Sequence, residues 1–268
     1  MTDPLPAQDL WIDAAGLRLE ARTLGAPADH ELALVFLHEG LGCVAMWRQF
    51  PALLCAALKL PGLLYSRAGY GGSQAADLPR TPEFMHHEAR VVLPQVLQAA
   101  GIRRAILVGH SDGGSIALLH AATGAPQVVA SIVMAPHLFV EPITVASIRA
   151  ISDRFEAGGL RQRLARYHAD PVATFRGWAD AWLDPVFAAW NIENAVSHIT
   201  TPVLALQGRQ DEYGTLSQIQ RLAALAPHAR WVGLDDCGHS PFVDQPQRVI
   251  DECLTFVAPL MSGRHTPP

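Results

Sequence analysis

The chain has 268 residues, half of them hydrophobic, so it can bury one substantial core and does not belong to a disordered or fibrous class. Its formal net charge is −5 and its basic residues form no long run, which argues against a nucleic-acid or anionic membrane partner. Residues 1–9 carry acids and two prolines, unlike a secretory signal, and no apolar stretch reaches the ~20 residues that span a bilayer. We therefore expect a cytoplasmic protein that acts on small molecules.

Alternating polar and apolar residues predict an antiparallel hairpin at the start of the chain, made of residues 10–13 and 17–23. Solid apolar runs predict buried strands at residues 32–37, 63–65, 105–108, 128–134, 203–207 and 231–234. A helix capped by Thr81 is expected to run to about Ala100, with a kink at Pro94. Strands that alternate with helices indicate an α/β protein, with a mostly parallel sheet covered by helices on both faces.

The stretch from about residue 137 to residue 198 has a different character. It contains no buried-strand pattern and is rich in Arg, Ala and aromatic residues. We interpret it as a helical cap inserted above the sheet, with most of its aromatic side chains packed inside the cap and some facing a pocket. The predicted organisation is a first core part at residues 1–136, a cap at 137–199 and a second core part at 200–268.

A GxSxG pattern at Gly109–Gly113 lies directly between the apolar run at residues 105–108 and a helix-like stretch at residues 115–122. A serine on a sharp turn between a buried strand and a helix projects its hydroxyl above the sheet, and the flanking glycines let the backbone turn that tightly. The pattern therefore predicts that Ser111 is a nucleophile.

A serine hydroxyl is a weak nucleophile unless a base accepts its proton, and that base needs an acid to orient it. Asp211 and His239 each follow a predicted strand, so both lie at the carboxyl edge of the parallel sheet, where ligands bind. Asp235 and Asp236 are rival acids, but they stand only four and three residues before His239, on the same strand end. We predict that Ser111, Asp211 and His239 form a catalytic triad.

The order Ser111, Asp211, His239, the glycine loop at residues 38–42 and the turn at Arg67–Ser73 together resemble the α/β-hydrolase superfamily. The resemblance covers nearly the whole chain. It implies the α/β-hydrolase fold and a serine hydrolase of the carboxylesterase type. The chain departs from the pattern of that superfamily at two positions.

One departure is Glu39, where a second glycine usually follows the histidine, and the other is Ser66, where an aspartate is common. The resemblance also implies an oxyanion hole formed by the main-chain amides of Gly40 and Asp112. A charged side chain at Asp112 would oppose a developing oxyanion unless it points away or is paired, so we expect it to face the helix flank or to form a hydrogen bond outward. Glu39 either pairs with Arg67 beneath the site or is solvated.

The resemblance further implies that His38 and His110 are structural and bond to loop backbone. Metal chemistry is not expected, because the adjacent residues His86 and His87 would point about 100° apart on a helix. No CxxC pair suggests zinc or redox chemistry, and reduced thiols are expected of the four scattered cysteines, Cys43, Cys55, Cys237 and Cys253.

The predicted function is hydrolysis of a small carboxylic ester, thioester or lactone through an acyl-enzyme, without cofactor or metal. Carbon–carbon bond hydrolysis and perhydrolysis by the same triad remain alternatives, as does a ligand receptor without turnover, since a fold does not fix a function. Halide-displacing and epoxide-opening enzymes are disfavoured, because those relatives place an aspartate where this chain has Ser111. The sequence leaves the oligomeric state open.

Overall fold

A computed structural model describes residues 5–26, 31–155 and 159–262 of the protein. Within these ranges eight strands form one sheet. The strands are β1 (Ala7–Ala14), β2 (Leu17–Leu24), β3 (Ala33–Leu37), β4 (Gly62–Tyr65), β5 (Ala105–His110), β6 (Val128–Met134), β7 (Val203–Gly208) and β8 (Ala229–Leu234). Their order across the sheet is β1-β2-β4-β3-β5-β6-β7-β8. Strands β3 to β8 pair in parallel, and only the β1–β2 hairpin and the β2–β4 contact are antiparallel, which confirms the predicted fold class.

Helices connect the strands and cover the sheet. The α-helices of the described residues are α1 (Phe50–Leu58), α2 (Phe84–His87), α3 (Leu93–Ala99), α4 (Asp112–Ala121), α5 (Pro142–Phe155), α6 (Leu160–Leu164), α7 (Pro171–Leu183), α8 (Glu193–Val196), α9 (Ser217–Leu225), α10 (Pro241–Asp244) and α11 (Pro246–Ser262). None of the helices in these ranges combines the length and the apolar character needed to cross a bilayer.

Each face of the sheet has its own apolar core. Successive side chains of a strand point to opposite faces, so Val35 and Leu37 join one core while Leu34 and Phe36 join the other. The first core contains residues of α3 and α4, and the second contains residues of α1 and α11. The central strands β3 to β7 are buried on both sides, which explains why they appear in the sequence as continuous apolar runs.

The inserted segment, which we define as residues 135–202 between β6 and β7, contains α5 to α8. Its described residues form no strand beyond a single bridge between Phe139 and Asn191. The aromatic side chains pack against one another, with Phe155 stacked on Phe175 at 3.9 Å between ring centroids. These aromatic side chains are continuous with the first core, and Phe187 stacks on Phe84 of α2 at 6.0 Å between ring centroids.

The helix predicted from Thr81 begins later than expected. The backbone N–H of Phe84 donates to the carbonyl of Thr81 at 3.0 Å in a turn, and α2 begins at Phe84. In place of a simple kink at Pro94, residues 88–92 form a π-helical stretch just before it. Proline has no N–H for the carbonyl four residues earlier, so the hydrogen-bond ladder widens at this point.

All four cysteines are free and buried. Burial raises the pKa of the Cys43 thiol to about 11. It raises the pKa of Cys55, Cys237 and Cys253 to about 12. At neutral pH these side chains are therefore protonated thiols, which are poor nucleophiles.

Candidate active site

The residue between β5 and α4 is Ser111, whose backbone has φ 52° and ψ −121°. A non-glycine residue in this region is strained and is held there only by close packing. The packing is tight, because a Cβ added at Gly113 would lie 2.0 Å from the carbonyl oxygen of Leu37. The turn therefore has the geometry of a nucleophile elbow, in which the serine stands at the top of the sheet.

The structure brings the three predicted triad side chains into one hydrogen-bonded chain. Ser111 Oγ lies 3.0 Å from Nε2 of His239, and Nδ1 of His239 lies 2.9 Å from each carboxylate oxygen of Asp211. Asp211 follows β7 and His239 follows β8, so the carboxyl ends of three parallel strands supply the three groups. The arrangement can move a proton from the serine to the imidazole.

The Asp211 carboxylate is held by further donors. The backbone N–H groups of Tyr213 and Gly214 donate to Oδ1 at 2.7 and 3.1 Å, and Nε2 of Gln207 donates to Oδ2 at 2.5 Å. Burial alone would raise the pKa of Asp211, but the hydrogen bond from His239 and the charge of the His239 ring lower this pKa below the usual value. Sequence reasoning missed Gln207, although a glutamine in an otherwise apolar strand was a detectable signal.

The interaction between Asp211 and His239 shifts the pKa of the histidine in the opposite direction. Burial disfavours the charged form of His239, yet the hydrogen bond and the charge of Asp211 outweigh it and raise its pKa above the usual value. The rival acid Asp235 faces away, since its side chain is 81% exposed and pairs with Arg209 at 2.7 Å. Asp211 is therefore the carboxylate that orients the ring.

A cavity of about 110 Å³ lies beside Ser111. Its walls come both from the core and from the inserted segment, and they include Leu41, Ile148, Trp178, Trp182 and Tyr213. Gly40 and Asp112, the predicted oxyanion-hole residues, also line it. Asp112 opens α4, where first-turn N–H groups have no partner within the helix and are free to bind an anion.

The Asp112 side chain is buried and paired rather than directed into solvent. The residue is 1% exposed, and Nε1 of Trp182 donates to its Oδ1 at 3.2 Å. Its Oδ2 atom has no hydrogen-bond partner within the part of the chain that the structure describes. Burial raises the pKa of this carboxyl group, which favours its neutral form and limits the conflict with an oxyanion. The partner of this side chain, Trp182, belongs to α7 of the inserted segment.

Neither expectation for Glu39 is met, because its carboxylate is half-buried and faces His110 rather than Arg67. Arg67 instead donates to the carbonyl oxygens of His38 and Glu39, at 2.5 and 3.1 Å. The Oε2 atom of Glu39 lies 3.4 Å from Nδ1 of His110, whose Nε2 in turn donates to the carbonyl of His239 at 2.7 Å. Burial opposes ionisation of Glu39, but the contact with His110 lowers its pKa below the usual value.

A second histidine, His137, lines the cavity and was missed by sequence reasoning. The hydroxyl of Ser115 accepts a hydrogen bond from its backbone N–H at 3.0 Å and donates to its carbonyl at 2.7 Å. The ring lies 6.0 Å from that of His239, centroid to centroid, and burial lowers its pKa to about 3. His137 is therefore neutral at working pH. Its place three residues after the end of β6 was the available signal.

No group of three His, Cys, Asp or Glu side chains that could hold a metal ion occurs among residues 5–26, 31–155 and 159–262.

A sequence profile of the alpha/beta hydrolase family matches residues 34–252, which is most of the chain. The protein therefore belongs to the alpha/beta hydrolase family.

Relatives of known name agree with this assignment. One relative is a protein of Pseudomonas savastanoi pv. phaseolicola named putative carbamate hydrolase RutD. The two sequences are 29% identical over 208 residues, and the alignment covers 69% of this chain and 78% of the relative. This chain is also 30% identical over 206 residues to pimeloyl-[acyl-carrier protein] methyl ester esterase of Xanthomonas campestris pv. campestris, covering 66% and 81%. The solved enol-lactonase of Burkholderia xenovorans LB400 matches with a TM-score of 0.72 at 20% identity, covering 93% of this chain and all of that one, and so shares the fold.

Proposed function

We propose that the protein is a serine hydrolase of the carboxylesterase type, which cleaves a small carboxylic ester through an acyl-enzyme intermediate. The observation that supports this most strongly is the chain of contacts from Ser111 Oγ to His239 at 3.0 Å and on to Asp211 at 2.9 Å. The elbow geometry of Ser111 and the names of the relatives point to the same chemistry.

In the first half of the proposed reaction, His239 Nε2 takes the hydroxyl proton of Ser111 while Oγ attacks the carbonyl carbon. The carbonyl electron pair moves to oxygen, and the amides of Gly40 and Asp112 stabilise this oxyanion. One such donor typically lowers the barrier by ~2.7–4 kcal/mol. When the oxyanion collapses, the alcohol leaves with the proton from His239, and the acyl group remains on Ser111.

In the second half, water repeats these steps. His239 takes a proton from water, the hydroxide attacks the acyl carbonyl, and the acid leaves as Ser111 regains its proton. Asp211 stays ionised throughout and stabilises the imidazolium, in keeping with its lowered pKa and the raised pKa of His239. Thioesters and lactones fit the same sequence of steps.

The cavity supports a small substrate. Its volume is about 110 Å³, whereas an engineered apolar cavity of roughly 150 Å³ holds one benzene. A group of only a few carbon atoms therefore fits beside Ser111. Two residues of the cavity wall, Trp178 and Trp182, come from α7. We therefore propose that residues 137–199 act as a cap that limits the size of the substrate. In this organisation the core consists of two parts, residues 1–136 and 200–268.

Labelling with a fluorophosphonate probe, followed by mass mapping, tests the nucleophile. We expect a single adduct on Ser111, steady turnover of p-nitrophenyl esters after an initial burst, and loss of both in Ser111→Ala. A matched control is Ser131→Ala, since Ser131 is a buried serine of β6 whose Oγ has no partner in the described ranges. An adduct elsewhere would contradict the assignment, and a burst without turnover would favour a receptor. A rate that increases from acetyl to long acyl chains would contradict the size limit.

A further inference from the structure

The inserted segment contacts the loop that carries the proposed oxyanion donor Gly40. We call this loop, residues 38–43 after β3, the oxyanion loop. A Cβ added at Gly40 would lie 2.0 Å from Nε1 of Trp178, so the indole of this α7 residue packs directly on the glycine backbone. The next residue, Leu41, has its carbonyl oxygen 3.0 Å from Nε2 of His168. Two neighbouring residues of the oxyanion loop are therefore held by the inserted segment.

The ring of His168 joins two parts of the core. The backbone N–H of Gly71 donates to Nδ1 at 2.9 Å, so Nδ1 is the unprotonated nitrogen. The proton is then on Nε2, which donates to the Leu41 carbonyl. The residue is 5% exposed, and burial lowers the pKa of His168 below the usual value. The ring therefore stays neutral at neutral pH, and this tautomer keeps both hydrogen bonds.

The contact with Leu41 reaches the oxyanion donor through two peptide groups. Because a peptide group is planar and trans, its C=O and N–H point in opposite directions. The Leu41 carbonyl shares a peptide group with the N–H of Gly42, and this N–H donates to the Glu39 carbonyl at 3.1 Å. The Glu39 carbonyl in turn shares a peptide group with the N–H of Gly40. A hydrogen bond from His168 to Leu41 therefore begins a series of linked peptide groups that ends at the proposed oxyanion donor.

The N–H of Gly40, at the end of this series, is free to bind a substrate. Nδ1 of His38 and Nη2 of Arg67 also donate to the Glu39 carbonyl, at 2.7 and 3.1 Å. The Gly40 N–H points the opposite way and donates to no acceptor among the described residues. Hydrogen bonds in series polarise one another, so the donors on the Glu39 carbonyl also strengthen the Gly40 N–H as a donor.

We propose that His168 is a positioning residue, which fixes the direction of the Gly40 N–H by holding the Leu41 carbonyl. This inference rests on the proposed esterase function and goes beyond it, since it makes the oxyanion hole depend on the inserted segment. His168 does not line the cavity and so does not touch the substrate. Its hydrogen bond stabilises the transition state, in which the oxyanion forms, and leaves binding of the uncharged ester in the cavity unchanged.

Three substitutions at position 168 separate the two hydrogen bonds of the ring. His168→Leu removes both, His168→Asn keeps an acceptor for Gly71 but is too short to reach Leu41, and His168→Gln offers an acceptor and a longer N–H donor. Loss of a whole oxyanion donor costs about 10²–10³-fold in kcat, and a misdirected donor keeps part of its effect. For p-nitrophenyl acetate we therefore expect kcat/KM per active site to fall about tenfold or more in His168→Leu and His168→Asn. His168→Gln restores it to within about threefold of the wild type.

Two small inhibitors distinguish a misdirected donor from a distorted cavity. Trifluoroacetone forms a bond between its carbonyl carbon and Ser111 Oγ, the hydroxyl proton moves to His239, and the carbonyl electron pair becomes an oxyanion. The corresponding secondary alcohol has nearly the same size but no carbonyl. In His168→Leu and His168→Asn, Ki for the ketone rises by the factor by which kcat/KM falls, while Ki for the alcohol changes less than about twofold. Weaker binding of both inhibitors would show a distorted cavity and overturn the proposal.

His120→Leu is the matched control. His120 is 2% exposed and its Nδ1 donates to the Ala89 carbonyl at 2.8 Å. The substitution therefore also removes a hydrogen bond from a buried imidazole to a main-chain carbonyl, but outside the oxyanion loop. We expect kcat/KM per active site, with active sites counted by fluorophosphonate labelling, to stay within about twofold of the wild type. An equal loss in His120→Leu and His168→Leu, no loss in His168→Leu, or a loss that His168→Gln does not relieve overturns the proposal.

The two proposals fail in different ways. If Ser111 turns over the ester but the rate does not respond to His168, only the positioning role is wrong. If no ester is hydrolysed and Ser111 is not labelled, the esterase proposal is wrong and this inference falls with it.

If no variant at position 168 folds, the wild-type enzyme decides. An oxyanion bound to the Gly40 N–H polarises the series of peptide groups, so trifluoroacetone moves the NMR resonance of the His168 Nε2–H proton downfield. An unmoved resonance in the trifluoroacetone adduct overturns the proposal.

Discussion

Replacing Asp211 with asparagine tests how the proposed triad depends on its acid. The carboxylate accepts from the backbone N–H groups of Tyr213 and Gly214 through Oδ1, from Gln207 through Oδ2, and from His239 through both oxygens. Asparagine offers only one acceptor atom. With its oxygen toward the two backbone donors, its NH₂ group faces Gln207 Nε2 and His239 Nδ1.

The imidazole must then accept a hydrogen bond at Nδ1 and carry its proton on Nε2. In this tautomer His239 presents a donor to Ser111 and cannot take the hydroxyl proton. Loss of the acid in the trypsin-type triad, the worked example of this effect, lowers kcat by roughly 10⁴-fold. Because the local geometry here imposes the same wrong tautomer, we expect a loss of about 10³ to 10⁴-fold in kcat for Asp211→Asn.

The pH profile gives a second readout. The base form of His239 is required, so activity in the wild type rises as the pH passes the raised pKa of this histidine. Asp211→Asn removes the charge that raises the pKa, and the acid limb of kcat/KM therefore moves to lower pH. The assay is p-nitrophenyl acetate hydrolysis between about pH 5 and 9, with circular dichroism to verify folding. A loss below tenfold, or an acid limb that does not move, would refute the reasoning.

Two further variants test the packing around the site. Gly113→Ala places a Cβ 2.0 Å from the carbonyl oxygen of Leu37, and we expect urea denaturation to show a loss of about 3 kcal/mol or more. Gly159→Ala, where nothing lies within 4 Å of the added Cβ, is the control; Gly159 is the N-cap of α6, so we expect a loss of only about 1 kcal/mol or less. Trp182→Phe removes the donor to Asp112 and leaves its buried carboxyl group without a partner, which lowers the free energy of unfolding by about 1–3 kcal/mol. Equal stability of Gly113→Ala and Gly159→Ala, or a neutral Trp182→Phe, would contradict these contacts.

The sheet was predictable because its signals are local. Apolar runs of three to seven residues become strands, most of which are buried on both faces, and β6 matches its predicted range of residues 128–134. The turn at Ser111 follows from the pattern between one such strand and a helix. The proximity of Asp211 and His239 follows from topology alone, because each residue lies in the loop after one of two neighbouring parallel strands, β7 and β8.

The directions of single side chains were not predictable in this way. The inward turn of Asp112 depends on Trp182, which lies 70 residues further along the chain. Glu39 meets His110 across 71 residues, although Arg67 was an equally plausible partner on charge alone. Contacts of this kind depend on how an inserted segment or a loop sits on the sheet, and no sequence spacing encodes that placement.

The buried thiols have a practical consequence for covalent chemistry. Cys43, Cys55, Cys237 and Cys253 are all shielded, and their high pKa values leave almost no thiolate under physiological conditions. Alkylating agents and mild oxidants therefore find no reactive sulfur on the folded molecule. Serine-directed electrophiles can be used on it without blocking or mutating cysteine, and sudden reactivity toward iodoacetamide would report unfolding.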